Sequence, residues 1–472
     1  MADRKLGHST LLIAALLAGC AVGPDYHAPA TTVPQQFVSA ESARYTTQDG
    51  DLANFWTSFG DTTLDRLVGD ALLGNYDLHI ALARLNEARA LHGAARLDLG
   101  PTITASGGYV DQQLSRSQAV GAPRSSQGYN ASFDAFWELD FFGRNRRALE
   151  ASRATEQATA ANLQDVQISV VAELTRSYFE LRGDQQRLEV ARRNVANQIE
   201  TLQLTQARLD SGTGTELDTA RASTQLFATR SLMPPLEAAV ARAIHRIGVL
   251  TGREPGALRA ELALPADLPA VPDMVAVGDP AQLLRRRPDI RVSERELAAA
   301  TASIGVAVAD LFPRVTFTGS IGYAAASFDG LGDAGSATHL IAPGISWAAL
   351  DLGHVRARIA AARARGDGAL AIYEQTVLRA LQETEDALVT HARARDRLVQ
   401  LVAAADTSQT ASRLALLRFE NGAVDFLQVL DAERSQLVIE DSLAQSRADT
   451  ATSLVAVYKA LGGGWNAPTT GG

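Results

Sequence analysis

Two periodicities alternate along this chain, and the alternation occurs twice. In 102–109, Ile103, Ala105 and Tyr109 are interleaved with Thr102, Thr104 and Ser106. In 129–139 the apolar set is Tyr129, Ala131, Phe133, Ala135, Trp137 and Leu139, with Asn130, Ser132, Asp134 and Glu138 among the residues opposite. A later stretch repeats the arrangement. Val315, Phe317, Ile321 and Tyr323 alternate with Thr316, Thr318 and Ser320, and Ile341, Ile345 and Trp347 line one face of 338–350. A period of two, apolar on one side and small-polar on the other, predicts strands that face lipid and a lumen in a membrane barrel. One such strand alone also suits a half-buried soluble hairpin; four of them favour the barrel. Trp137 and Trp347 end the second strand of each pair, where a membrane-interface aromatic girdle falls. Two core tryptophans would read the same way.

Elsewhere the period lengthens to that of a helix. No proline occurs between Pro123 and Pro234, or between Pro343 and Pro468, and 144–210 and 354–420 are rich in Ala, Leu, Arg, Glu and Gln. Such a segment is about 100 Å long at 1.5 Å per residue, far beyond the average globular helix. Leu163, Val166, Val170, Leu174 and Leu181 fall at three- and four-residue steps or their sum, seven. They form a seam for coiled-coil-like packing. Gly212-Thr213-Gly214 and Asn421-Gly422 predict helix ends and tight turns into return helices at 216–250 and 425–461. Gly183, Gly366 and Gly368 interrupt the long helices and mark either kinks or close helix contacts.

The two halves share more than a plan. Asp98-Leu99-Gly100-Pro101 before the first strand pair answers to Asp310-Leu311-Phe312-Pro313 before the second, and Arg208-Leu209-Asp210-Ser211-Gly212 answers to Arg418-Phe419-Glu420-Asn421-Gly422. The offset stays near 210 residues, which predicts two internal repeats from a duplication. The predicted organisation is a signal peptide at 1–19, a lipid-anchored extended leader at 20–52, and a first repeat at 53–252. A proline-rich linker follows at 253–278, then a second repeat at 279–463 and a tail at 464–472. Within the repeats, strands lie near 102–139 and 314–350, long helices at 141–211 and 352–421, and return helices at 216–250 and 425–461. Four strands cannot close a barrel and open edges are forbidden in lipid, so several chains must share one.

Composition adds the compartment. The chain has one cysteine, Cys20, preceded by Arg4, Lys5, an apolar run from Leu11 to Leu17 and then Leu17-Ala18-Gly19. This is the layout of a secretory signal peptide, and the run is too short to span a bilayer. A cysteine after Leu-Ala-Gly resembles the bacterial lipobox, which makes Cys20 the expected lipidation site, and Ala21 rather than Asp after it suits the outer membrane. With no second cysteine there is no disulfide. Net charge is −9, which argues against a nucleic-acid partner. The run Arg285-Arg286-Arg287 predicts an exposed or salt-bridged helix end. There is no His-Glu-x-x-His, no Gly-x-Ser-x-Gly and no phosphate loop, so no catalysis, cofactor or metal is expected.

The ordered pieces then match a family. They are Cys20-Ala21-Val22-Gly23-Pro24-Asp25-Tyr26, Phe55-Trp56 with Phe59-Gly60-Asp61, Asn75-Tyr76-Asp77-Leu78, Arg286-Arg287-Pro288-Asp289-Ile290, Glu294 with Glu296-Leu297, Asp310-Leu311-Phe312-Pro313, and Tyr458-Lys459-Ala460-Leu461-Gly462-Gly463-Gly464-Trp465. Together they resemble TolC-like outer-membrane efflux factors, in the lipoprotein (NodT-type) branch that partners RND pumps. The resemblance covers essentially all of the mature chain. It implies a mainly α fold with a membrane β-barrel. In it a homotrimer would share a 12-stranded barrel, and long coiled-coil-like helices would form a periplasmic tunnel. The implied partners are a periplasmic adaptor protein, an inner-membrane RND pump and outer-membrane lipid, with no cofactor. The implied activity is passive export of small toxic compounds or drugs.

The narrow end of such a tunnel falls at the helix turns near 208–218 and 418–431. Asp210, Glu216 and Asp218 cluster at one, and Glu420, Asp425 and Asp431 at the other. Any inward-facing carboxylate becomes a ring when three copies surround an axis; Asp425 also suits a helix N-cap. In the family, acidic rings lie on the return helix. By position after the turn glycine Asp431 matches one, and the other falls on Gln428. The expected periplasmic gate is therefore Phe419, Val424, Asp425, Gln428 and Asp431. The segments Arg208 to Gly212 and Arg418 to Gly422, with Arg208, Leu209, Gly212, Arg418 and Gly422 as representatives, resemble the tips that the adaptor grips. A duct for type I protein secretion, or a structural coiled-coil lipoprotein without a pore, are the alternatives.

Overall fold

The computed structural model describes residues 21–40, 45–46, 52–119, 121 and 123–465. The segment 1–19 expected as a signal peptide, the expected lipidation site Cys20, and residues 466–472 of the expected tail lie outside them. In chain order the elements are β1 (Tyr45–Thr46), α1 (Thr62–Gly74), α2 (Tyr76–Leu97), β2 (Thr102–Gln113), β3 (Ser125–Leu139), α3 (Arg144–Asp210), α4 (Glu216–Ser231) and α5 (Met233–Leu250). They continue with α6 (Arg259–Leu262), β4 (Val275–Ala276), α7 (Pro280–Arg286), α8 (Pro288–Ala309), β5 (Arg314–Ala325), β6 (Ala337–Ser346), α9 (Leu352–Glu420) and α10 (Phe426–Ala460). Helix dominates, and α3 and α9 run for 67 and 69 residues. Among the described residues no helix is long and apolar enough to cross a membrane.

The segment 216–250, expected as one return helix, is two. Pro234 and Pro235 open α5, where missing amide donors cost nothing, and the chain turns at Leu232 just before them. The stretch 253–278 is likewise not wholly irregular, since it holds α6 and β4, and β4 pairs in parallel with β1. Neither Gly183 nor Gly366 breaks its helix. A Cβ on Gly183 would come within 2.5 Å of the Ala448 Cβ in α10, and one on Gly366 within 3.0 Å of the Ile304 side chain. Both glycines mark close helix contacts, while Gly368 meets nothing.

The chain forms two compact units. The first comprises residues up to Ala30, Arg84–Ala160 and Val292–Gln375. Its centre is one antiparallel sheet in the order β2-β3-β5-β6, and neither edge strand has an outer neighbour among the described residues. The register aligns the alternation of each strand with the next. Ala105, Phe133, Ile321 and His339 form one row, and Ile103, Ala135, Gly319 and Ile341 another. Thr104, Asp134, Ser320 and Leu340 form a row on the opposite side. On that side Ser106 and Ser132 are hydrogen-bonded, Oγ to Oγ, at 2.8 Å. The apolar row is open: Ile103, Phe133, Ile321, Ile341 and Ile345 are each more than 60% exposed. Several side chains break the pattern: Val110, Phe136 and Leu340 sit on the small-polar side and His339 on the apolar side.

The same unit holds the first part of the leader, residues 21–30. Arg147 near the start of α3 is buried; its Nε donates to the Val22 carbonyl (3.2 Å) and its Nη2 to Asp25 (2.7 Å), while Nη1 donates to Glu150 (2.8 Å). That guanidinium holds the Asp25 carboxyl below the usual carboxylate range. The Tyr26 hydroxyl donates to Glu294 at 3.0 Å, and Arg295 lies over its ring. Burial, then the hydrogen bond to Glu294, pushes the Tyr26 phenol up to about 12. The motif Val22 to Tyr26 is thus a clasp. Arg147→Ala is expected to speed proteolytic cutting within 21–30 by about tenfold, the scale of one charge-assisted hydrogen bond, without loss of helix in circular dichroism.

The second unit comprises Thr31–Ala83, Ala161–Arg291 and Thr376 onward. Its core stacks Phe55 on Tyr458 (4.7 Å between centroids) and sets Phe59 edge-on to Phe179 (4.8 Å). Asp61 caps α1 through the amides of Thr63 and Leu64, and its other oxygen accepts from the Tyr178 hydroxyl at 2.7 Å. Asn75 does the same for α2, with Oδ1 taking the amides of Asp77 and Leu78. Arg287 is buried and paired with Asp289 (2.6 Å) and Glu383 (2.8 Å). The sequence motifs at 55–61, 75–78 and 286–290 are therefore caps, stacks and a buried ion pair.

Candidate functional site

Both helix turns close with the same hydrogen bonds. At the first, the Thr213 amide donates to the Arg208 carbonyl and the Gly212 amide to that of Leu209, each at 2.9 Å. At the second, Ala423 donates to Arg418 (2.8 Å) and Gly422 to Phe419 (2.9 Å). Gly212 and Gly422 have φ of 74° and 70°. This left-handed C′ residue is what a Schellman ending requires and what glycine supplies without strain. Each return helix is then capped by a side chain: Thr215 accepts from the Asp218 amide (3.2 Å) and Asp425 from the Gln428 amide (3.3 Å).

The turns are locked together. Arg208 lies 4.5 Å over the Phe419 ring, and its Nη1 donates to the Phe419 carbonyl at 2.8 Å. Phe419 is buried with Phe426, Val429, Leu430 and Ala222, against partly buried Leu202, Leu416 and Val424. Of the expected gate residues, then, Phe419 lies in this small core and Val424 at its margin. Asp425, Gln428 and Asp431 are exposed, three residues apart along the start of α10. Of the expected docking residues, Gly212, Arg418 and Gly422 are exposed, Leu209 is half-buried, and Arg208 is committed to the latch. Asp210 accepts from Gln206. Trp137 and Trp347 each donate their indole N–H, at 2.9 Å, to a carbonyl just before the paired strand, those of Leu99 and Leu311. Trp347 lies just past β6 and is 56% exposed.

Sequence reasoning passed over residues further along the same helices. Glu433 in α10 is buried and accepts the Thr201 hydroxyl of α3 at 2.6 Å. Burial pushes its carboxyl above the usual range, and the Thr201 hydrogen bond opposes that in part. Asn194, Gln198 and Thr205 of α3 are also buried. Only a polar seam between helices that ought to be apolar would have pointed to them. Among the described residues no three His, Cys, Asp or Glu side chains are placed to hold a metal ion.

The two turns are thus capped, latched to each other through Arg208, and flanked by exposed acids. A family model described as outer membrane efflux protein matches residues 67–253 and 280–463. The solvent efflux pump outer membrane protein SrpC of Pseudomonas putida is 32% identical over 470 residues, 96% of this chain and 97% of its own length. The cation efflux system protein CusC of Escherichia coli O6:H1 is 30% identical over 454 residues, 96% of this chain and 97% of its own. The solved structure of the outer-membrane channel OprN superposes with a TM-score of 0.89 at 44% identity, covering 94% of this chain and 100% of that one. This chain belongs to the outer membrane efflux protein family.

Proposed function

We propose that the protein is the outer-membrane exit duct of a tripartite RND-type efflux system, passing small toxic compounds outward. The observation that carries the reading is the four-stranded sheet with two open edges and one exposed apolar face. Unsatisfied backbone groups are not tolerated in hydrocarbon, so these edges must meet other strands. Three chains would supply twelve strands to one barrel, and α3, α9 and the return helices would form the periplasmic tunnel. Exposed apolar side chains along α9, among them Leu378, Val389, Val399, Val402 and Leu414, suit burial against neighbouring copies. Cys20 would carry the acyl anchor. The tips at Gly212 and Gly422 would meet the adaptor. Asp425 and Asp431 would line the gate with Gln428, and Phe419 with Val424 would act from behind by packing the tip. Relatives named for solvent and for cation efflux are about equally similar to this chain, so the choice of cargo would rest with the inner-membrane pump.

Electron microscopy of the detergent-purified, acylated protein tests this. The expected particle has three-fold symmetry, a barrel at one end and a length above about 100 Å, as helices of this length require. Compact monomers under mild detergent would refute the duct.

A further inference from the structure

We propose that a small monovalent cation, with part of its water shell, binds in the polar cavity between α3, α9 and α10, held by the Glu433 carboxylate and the Gln198 amide. The cavity measures about 400 Å³ and lies wholly within the second unit. Its buried lining includes Gln198, Thr201, Ser412, Glu433 and Gln436. Gln198 is 2% exposed, and neither its Oε1 nor its Nε2 has a hydrogen-bond partner among the described residues. Leaving a buried amide unpaired costs the desolvation of each polar group with nothing in return. Both atoms therefore call for something in the cavity that donates and accepts. Water in an ion's shell does both, whereas a bare alkylammonium would leave Nε2 unmet.

The charge points the same way. Three carboxylates line the cavity, Glu200, Glu420 and Glu433, against one guanidinium, Arg413. Glu200, Glu420 and Arg413 reach solvent, so water screens them, and the buried charge is that of Glu433 alone. Glu433 accepts from the neutral Thr201 hydroxyl, and burial favours its neutral form, so a bound cation would have to be what keeps it ionised. One buried negative charge calls for one positive charge. Multivalent ions take several carboxylates at once, and among the described residues no three His, Cys, Asp or Glu side chains are placed to hold a metal ion. The volume exceeds a bare ion and suits a hydrated one. Once filled, the site would tie α10, two residues past Asp431, to α3 and α9. The proposal stands on this unit alone and is independent of the duct.

Two measurements on the full-length purified protein decide it. Crystals grown in thallium(I) acetate should show an anomalous peak between Glu433 and Gln198. Water alone there, or a neighbouring subunit's side chain filling the space, overturns the proposal. Thermal unfolding is then compared in potassium chloride and in N-methylglucamine chloride at equal ionic strength, the second cation being too large to enter. Wild type should melt roughly 2–4 °C higher in potassium. Glu433→Gln should show no difference between the salts, and Gln198→Leu, which keeps the carboxylate, a reduced one. An equal potassium effect in wild type and Glu433→Gln also overturns the site. Should Glu433→Gln fail to assemble, the wild-type thallium map decides by itself.

Discussion

Changing Asp425 and Asp431 together to asparagine should lower the cation preference of the bilayer-reconstituted channel by roughly tenfold, the scale on which focused rings of charge act. The permeability ratio of potassium to chloride, read from reversal potentials across a salt gradient, checks this. Asparagine is the informative replacement because Asp425 has a second role. Its side chain accepts the Gln428 amide at the start of α10, and Asn caps a helix nearly as well as Asp. Asp425→Asn therefore removes charge and keeps the cap. Asp425→Ala removes both and should cost about 1 kcal/mol of local stability besides. A selectivity unchanged in the double asparagine variant would place these acids on the outer surface of the tip, leaving the cap as the role of Asp425.

Gly183→Leu should lower the melting temperature of the assembled protein by several degrees. A Cβ at this position already falls 2.5 Å from the Ala448 Cβ, far inside contact distance, and the opposing atom sits on a buried helix position with no room to swing away. Forcing α3 and α10 apart costs about 1–3 kcal/mol per chain, as overpacking of a filled core does. Gly368→Leu is the control, since nothing stands within 4 Å of a Cβ there, and it should change little. Melting followed by circular dichroism compares the two. Equal stability of both variants would mean that α3 and α10 part at no cost at Gly183.

How much of this was legible in the chain depends on whether the signal was local. Strands and helices were, because a period of two or of three and four is carried by each segment itself. The turns were too, since Gly212 and Gly422 interrupt long proline-free runs and only glycine takes their φ cheaply. The break at Leu232 was legible in principle: Pro234 and Pro235 stand in plain view, and reading the segment as one helix ignores them. What depended on a distant partner was not legible. Gly183 announces itself as a glycine, but its meaning lies in Ala448, far along the chain. Phe419 reads as an apolar gate residue, and only the fold puts Arg208 over its ring and Phe426 beside it. Glu433 and Gln198 look like ordinary solvated helix positions until α3 and α10 are brought together. The motifs at 55–61 and 75–78 stand out as residue strings, yet the stack on Tyr458 and the bond from Tyr178 to Asp61 need partners that the strings do not contain.

The clasp on the leader has a mechanical consequence. Ala21 sits where a Cβ on Gly143 would fall, and the Val22 amide donates to the Phe142 carbonyl, three residues past the end of β3. The proposed acyl anchor on Cys20 would therefore start one residue, about 3.8 Å, from a fixed point beside the strand ends. A tether that short cannot serve as a flexible leash. It would act as a depth gauge: with the acyl chains seated in the leaflet, the height of the strands relative to the headgroups would be set to within a residue or two, before any aromatic girdle came into play.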